Sequence, residues 1–308
     1  MLDFRKVRYF KAAYEEGSLS KAAERENIVQ PALSVHLRQL EEEFGLRLFE
    51  RSPRGLEPTP AGDHFYKLCR DMVRRLGVMR QEMLDFNDEV SGSIAVGLMP
   101  SICHGPFPAI MARYAELYPL VNVKIFEAYS GTLADWVEAG ELDFAICNKP
   151  ARRTELKLRH LLSDRFLLVS GRNKALKPGE TYRLADIPNL KLVVPAGRHT
   201  LRRLMDRLIK SGEIKPERII EIDGFSAAFR FIEGTDWSLP LQVTAVIDLL
   251  NSNRVIINPI SAPRLTIDIY EMHPSKRPLS LAAQRFSELV EQELQRIARI
   301  KLGRGAAG

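Results

Sequence analysis

Residues 28–45 read IVQPALSVHLRQLEEEFG, and their open side would carry Pro31, Ser34, Val35, Arg38 and Glu42, with His36 at its flank. A hydroxyl, a guanidinium and a short apolar side chain so grouped can recognise a partner by hydrogen bonds and contact, without breaking bonds. Bond-making chemistry has no comparable constellation. The six histidines, His36, His64, His104, His160, His199 and His273, are scattered. There is no H-E-x-x-H, no G-x-S-x-G, no phosphate-loop glycine pattern and no visible pairing of carboxylates. Catalytic residues are therefore expected to be none. Cys69, Cys103 and Cys147 lie far apart without a C-x-x-C pair, so they are expected to be reduced, buried thiols with neither a disulfide framework nor a metal site.

The recognition face needs a rigid element behind it. Pro31 suits a first helical turn, Gly45 a C-terminal cap, and Leu33, Leu37, Leu40 and Phe44 follow at 4-3-4 spacing, predicting a helix with one core stripe. Upstream, Asp3 can cap a helix whose Phe4, Val7, Phe10 and Tyr14 share one side and which ends at Gly17. Ser20 is the expected N-cap of a short second helix, whose Ala22 and Ala23 allow a close neighbour. Only a short turn near 27–30 separates it from the third helix. That is helix-turn-helix spacing, in which the second helix of the pair enters a DNA major groove by its N-terminal half; a generic three-helix bundle would share these helices. Beyond them, residues 46–51 are expected to form a strand, Ser52-Pro53-Arg54-Gly55 a turn, and residues 56–62 a lead into a new helix. This reads as a wing, with Arg51 and Arg54 within reach of a phosphate backbone.

Composition is permissive. At 308 residues, 45% hydrophobic and 27% charged, the chain can build two or three ordinary globular cores. No segment resembles a signal peptide, and none approaches the roughly 18 apolar residues of a membrane span, so a cytoplasmic protein with no membrane partner is expected. The formal charge of +6 is no evidence for DNA binding, because residues 1–60 hold equal numbers of basic and acidic residues.

The run Phe10…Gly17-Ser18…Ala22-Ala23…Gln30-Pro31-Ala32-Leu33-Ser34…Leu40-Glu41…Phe44-Gly45…Leu48-Phe49-Glu50-Arg51…Thr59-Pro60-Ala61-Gly62 resembles the N-terminal signature of the LysR-type transcriptional regulators. The resemblance spans the first 62 residues in order and spacing. It implies that Gln30, Ser34, Arg38 and, in the wing, Arg51 contact DNA; Ser20, Pro31, Val35, His36 and Arg54 complete the candidate interface. Val35 can touch a thymine methyl. The sequence departs from the family at Glu26, where leucine is usual, at Val29, where serine or threonine is usual, and at Val35 and His36, where arginine or glutamine is common. A base preference therefore does not carry over.

Phe65, Cys69, Met72, Leu76, Met79, Met83, Phe86 and Val90 follow at 4-3-4-3-4-3-4, a coiled-coil seam on a helix expected over residues 61–90. Such a stripe exceeds what one small domain can cover, which predicts self-association through Phe65, Cys69, Met72, Leu76, Met79, Met83 and Phe86. A long helix lying on its own chain's C-terminal domain is the alternative. The resemblance implies paired linker helices, two recognition helices on an inverted repeat in double-stranded DNA, a dimer assembled into a tetramer, and contact with RNA polymerase.

From Ser91 the pattern becomes βαβαβ: strands at 94–98, 121–127 and 142–146, with helices at 107–117 and near 133–139. A second set follows at 166–169, 191–194, 218–222 and 255–257, before a return through 265–270 and a final helix over about 280–300. The fold class is mainly α/β: a winged helix-turn-helix (1–60), a linker helix (61–90), and a two-lobed effector domain resembling type 2 periplasmic-binding proteins. Lobe I is expected over 91–165 and 265–308, lobe II over 166–264. Sites in such folds lie at the carboxyl ends of strands between the lobes. Pro100, Ser101, Ile102, Ser130, Thr132, Asn148, Arg198 and Thr200 are the effector-binding candidates. Hydroxyls and free N–H groups at helix starts suit a carboxylate or similar anion, although such residues also serve as plain caps and turns. Trp237 in Glu233-Gly234-Thr235-Asp236-Trp237-Ser238-Leu239-Pro240 stands where the family runs a glycine-rich turn, and either narrows the cleft or packs beneath it. No cofactor is expected beyond a small-molecule effector. The rival reading is a small-molecule-binding or enzymatic α/β protein whose N-terminal bundle serves protein contacts.

Overall fold

Asp3 starts the first element: its carboxylate accepts the Lys6 N–H at 2.9 Å, and α1 (Phe4–Glu16) runs to Gly17 in the left-handed conformation. The computed structural model describes residues 2–52, 55–85, 90–173, 175–197, 199–250, 254–275 and 277–300. The chain divides into two compact units, Met1–Met83 and Leu84–Gly308.

In the first unit α2 (Leu19–Arg25) is capped by Ser18, whose hydroxyl accepts the Lys21 N–H. The expected cap at Ser20 is corrected. Ser18 has the extended backbone that a cap requires, whereas Ser20 already lies inside the helix and is exposed. Next, α3 (Gln30–Phe44) ends on left-handed Gly45 and buries Leu33, Leu37 and Leu40. Phe44, expected in the same stripe, is 38% exposed; its ring makes an edge contact with Phe65 at 5.3 Å. The wing is a hairpin of β1 (Phe49–Ser52) and β2 (Gly55–Pro58), antiparallel with Phe49 opposite Pro58. Its first strand begins three residues later than expected. Glu41, on α3, accepts the N–H groups of Leu48 and Phe49 and so fixes the chain at that point.

The linker helix α4 (Pro60–Asp85) has 26 residues and a length of about 39 Å at 1.5 Å per residue. Its first turns belong to the winged domain's own core. Phe65 packs edge-on against Phe10 at 4.7 Å, Cys69 is buried, and the Tyr66 ring stacks on Tyr14 at 3.8 Å. The seam is therefore corrected at Phe65 and Cys69, which are consumed within the chain. From there on Met72, Met79 and Met83 are 41%, 58% and 65% exposed. Phe86 lies outside the described residues. Val90, expected to close the seam, packs against the core of the second unit.

That second unit joins β3 (Gly92–Leu98), α5 (Pro100–Cys103), α6 (Phe107–Leu117), β4 (Val121–Glu127), α7 (Ser130–Glu138) and β5 (Phe144–Asn148) into one lobe. The long β6 (Leu156–Ser170) then leads to β7 (Tyr182–Arg183), β8 (Lys191–Val194), α8 (Thr200–Lys210), β9 (Arg218–Glu221), α9 (Phe225–Glu233), β10 (Ser238–Gln242), α10 (Val243–Val246) and β11 (Ile256–Ala262). The chain returns along β12 (Thr266–Pro274) and ends on α11 (Leu281–Ala298). Strand order is β4-β3-β5-β12-β6-β10-β8-β9, with β11 beside β6 and β7. Pairing is parallel among β3, β4 and β5 and from β10 through β8 to β9, but antiparallel wherever β6 or β12 pairs within the β5-β12-β6-β10 run.

Strand β6 passes from one lobe to the other. Arg165 still faces Thr266 of β12, whereas the next residue, Phe166, faces Gln242 of β10. Beyond that point its side chains alternate between two cores. Leu167 and Val169 join Phe229 and Ile232 of α9, while Phe166 and Leu168 join Met205 and Leu208 of α8. Trp237 packs beneath the cleft: it is 6% exposed in the α9-side core, with Arg218 over its ring at 5.6 Å. The strand β10 that follows it, and the first half of β6, are additions to the sequence reading.

Candidate functional site

In the first unit the start of α3 is exposed. Basic and acidic residues balance over residues 1–60, but the charges are not evenly spent. Glu26 pairs with Arg8 at 2.5 Å, Glu15 with Lys11 and Arg25, Glu16 with Arg25, and Glu43 with Lys6. Arg38 stands exposed without an ion-pair partner among the described residues. Gln30 and Pro31 are exposed in the first turn of α3, Gln30 donates to Ser34 Oγ at 3.3 Å, and Val35 is 49% exposed. His36 turns inward, its ring 5.1 Å from Tyr9 and its Nδ1 buried without a partner. Ser20 lies exposed on α2. The backbone of Arg51 belongs to β1; Arg54 lies outside the described residues.

In the second unit a cavity of about 700 Å³ opens where strands end and helices begin. Helices α7, α8 and α9 all start on its wall, at Ser130-Gly131-Thr132, Thr200-Leu201 and Phe225, and none of the three has a side-chain cap. Each start therefore brings uncapped N–H groups, and the positive end of a helix dipole, to the wall of one cavity. Ser101 lines the same cavity, is 5% exposed, and its Oγ is buried without a hydrogen-bond partner.

Of the expected residues, Pro100, Ser101, Ser130, Thr132, Asn148 and Thr200 line the cavity. Ile102 is corrected: it does not line the cavity and is fully buried in the core of the first lobe, because successive residues of α5 point to different sides. Arg198 lies outside the described residues. Two of the polar candidates are already engaged. Asn148 donates its amide to the Asp268 carbonyl at 3.0 Å, and Thr200 Oγ1 accepts from Arg203 at 3.1 Å.

The wall also holds residues that sequence reasoning missed. His199, 5% exposed, hydrogen-bonds through Nε2 to Asp223 Oδ1, and the Tyr129 ring lies 3.7 Å from it. Tyr129 donates its hydroxyl to the Asp223 carbonyl at 2.8 Å, which links the start of α7 to the loop before α9. Outside the cavity, the His104 ring stacks on Phe225 at 4.4 Å and joins the same two lobes. Gln242 lines the cavity and its Nε2 is buried without a partner. The strand-to-helix junction at 222–225 was a readable signal for Asp223 and Phe225; nothing local marked Gln242. Burial pushes the nearby Cys147 thiol up to about 12, against a lowering hydrogen bond from Ser130.

No group of His, Cys, Asp and Glu among the described residues is placed to hold a metal, and no described helix is long and apolar enough to cross a membrane.

Two family models match. One, described as a bacterial regulatory helix-turn-helix protein of the lysR family, covers residues 4–63; the other, a LysR substrate binding domain, covers residues 87–295. The chain is 25% identical to the HTH-type transcriptional regulator YtlI of Bacillus subtilis, over 93% of this chain and 95% of that protein. It is 24% identical to the nitrogen assimilation regulatory protein nac of Escherichia coli, over 94% of each. Among solved structures, full-length CbnR complexed with its target DNA has a TM-score of 0.68 at 20% identity, covering 95% of this chain and 100% of that one. A full-length OxyR variant from Pseudomonas aeruginosa has a TM-score of 0.68 at 19% identity, covering 98% of this chain and 97% of that one.

Proposed function

We propose, for this chain, which belongs to the LysR family of bacterial transcriptional regulators, that a small anionic effector held between the lobes governs how α3 is presented to DNA. DNA binding and an effector-binding domain come with the family. The finer assignments are our reading. The first turns of α3 enter the major groove, where Gln30, Ser34 and Arg38 offer hydrogen bonds to base edges or phosphates and Val35 offers contact to a thymine methyl. Ser20, Pro31 and the wing residues Arg51 and Arg54 flank that contact. The fold shared with CbnR, which was solved on its target DNA, supports this orientation.

The exposed methionines of α4 support pairing of two chains on an inverted repeat, and the α/β units would extend that dimer to a tetramer. The assembled regulator then meets RNA polymerase at the promoter. No cofactor other than the effector takes part.

One observation carries the effector reading: the unpartnered Ser101 Oγ lies in the same cavity as three uncapped helix starts. A carboxylate-like group suits such a cavity because uncapped helix starts offer N–H groups and the positive ends of their dipoles. Binding energy that favours one lobe arrangement shifts the population of the whole assembly toward it. We predict that Ser101→Ala and Thr132→Ala abolish the effector response of a reporter while DNA affinity, measured by fluorescence anisotropy on the upstream inverted repeat, stays unchanged. Full responsiveness in both variants would reject the site.

A further inference from the structure

We infer that Gln242 is a specificity-determining donor to the effector, and that the ligand carries, besides its anionic group, a second oxygen acceptor that reaches Gln242 Nε2. The inference rests on the effector reading of the cleft. Its ground is a second orphan: Gln242 Nε2 is buried with no hydrogen-bond partner, and Gln242 lines the same cavity as Ser101. Proteins seldom keep a buried N–H unpaired, because it has given up water and gained nothing. A donor kept in that state on the wall of a cavity is satisfied when the cavity is filled.

Its place in the fold gives the contact a consequence. Gln242 ends β10 directly opposite Phe166, the first residue of β6 in the second lobe. It also immediately precedes α10, whose Thr244 is tied through N–H and hydroxyl to Asp164, still on the first-lobe part of β6. Helix α10 lies against the segment that carries Ser101: a Cβ added at Gly105 would stand 1.8 Å from the Thr244 carbonyl oxygen. A ligand bonded at once to Ser101 and Gln242 therefore spans the strand crossing between the lobes. Phe166, Leu239 and Ile267 supply apolar wall around it, so the class is a small carbon-framed dicarboxylate or oxo-carboxylate.

The test uses the full chain and two matched pairs of probes, butyrate against glutarate and benzoate against phthalate, read by thermal shift and isothermal titration. In the wild-type protein at least one diacid is expected to bind about tenfold more tightly than its monoacid, the worth of one hydrogen bond to a charged acceptor. Gln242→Met is expected to erase that advantage, keep the monoacid's affinity, and raise the melting temperature of the unliganded chain by removing the orphan donor. Should Gln242→Met fold poorly, Gln242→Glu keeps the shape and turns the donor into an acceptor, with the same loss. An advantage that persists in both variants overturns the inference, as does the absence of any advantage, or of any binding, in the wild type. Ser101→Ala separates the two levels. If Ser101→Ala weakens all binding while Gln242→Met changes nothing, only this inference fails; if neither matters to probes that do bind, the cleft reading fails with it.

Discussion

Val29 shows how one side chain sets a local stability. It occupies the N-cap of α3 with the extended backbone of a cap, φ −80° and ψ 140°, yet no side chain there accepts an N–H of the first turn, and it is 69% exposed. Valine cannot accept a hydrogen bond, so the helix that would read DNA begins without one of its usual supports. Val29→Ser is expected to stabilise the chain by about 1 kcal/mol, seen as a higher urea midpoint at unchanged slope. A lower midpoint would mean that the valine side chain is held by a stabilising contact. Glu26, where the sequence also departs from the family, has a simpler explanation: its carboxylate is partnered by Arg8 at 2.5 Å. Both departures were visible in the sequence, but only the tertiary structure shows that one leaves a cap unfilled and the other is paired.

At the scale of elements, α4 changes character along its length. Phe65, Cys69 and Tyr66 fasten its beginning to α1, whereas Met72, Met79 and Met83 leave an apolar stripe in solvent. Exposed apolar stripes of heptad spacing are covered by a partner helix. Leu76→Asp with Met79→Asp is expected to shift sedimentation toward monomer and to weaken operator binding in parallel; an unchanged assembly would place the contact elsewhere. The amphipathic helices were legible because their apolar spacing needs only near neighbours in sequence. Strand β10 was not. Pro240 in its middle lacks the donor that a central strand normally supplies, yet here pairing to β8 is confined to Ser238 opposite Leu192. The first half of β6 was equally hidden: its mixed polar sequence becomes a strand only because β12 returns beside it.

For the whole molecule the decisive region is the crossing of β6 between the lobes. Asp164 is buried there, its carboxylate accepting the Thr244 N–H at 3.2 Å and hydroxyl at 2.7 Å. Burial holds its pKa above the ordinary value of 3.8, despite the lowering effect of those two donors. The folded chain therefore keeps this proton to higher pH than the unfolded chain does. The group's stabilising contribution is fully present below the ordinary aspartate value and is lost as pH rises through the raised one. Asp164→Asn is expected to remove that dependence: in urea titrations between pH 4 and about 7, the stability difference should move in favour of the variant as pH rises. A difference that stays flat would mean that Asp164 titrates normally in the fold.

The sequence by itself determined what depends on neighbours within a few turns: the caps at Asp3, Gly17 and Gly45, the stripe Leu33, Leu37, Leu40, and the alternation of strands and helices in the second unit. These follow from backbone periodicity and from which side chains can cap or turn a chain. It also marked Ser101 and Thr132 as lying at strand-to-helix junctions, because such junctions can be read locally. Tertiary structure alone decided that Phe65 and Cys69 belong to a core rather than a seam, that three uncapped helix starts share one cavity, and that His199, Asp223, Tyr129 and Gln242 meet there. The reason is physical: a hydrogen bond is satisfied or left open by whatever lies within about 3 Å in space, and sequence spacing says nothing of that once the chain crosses between lobes.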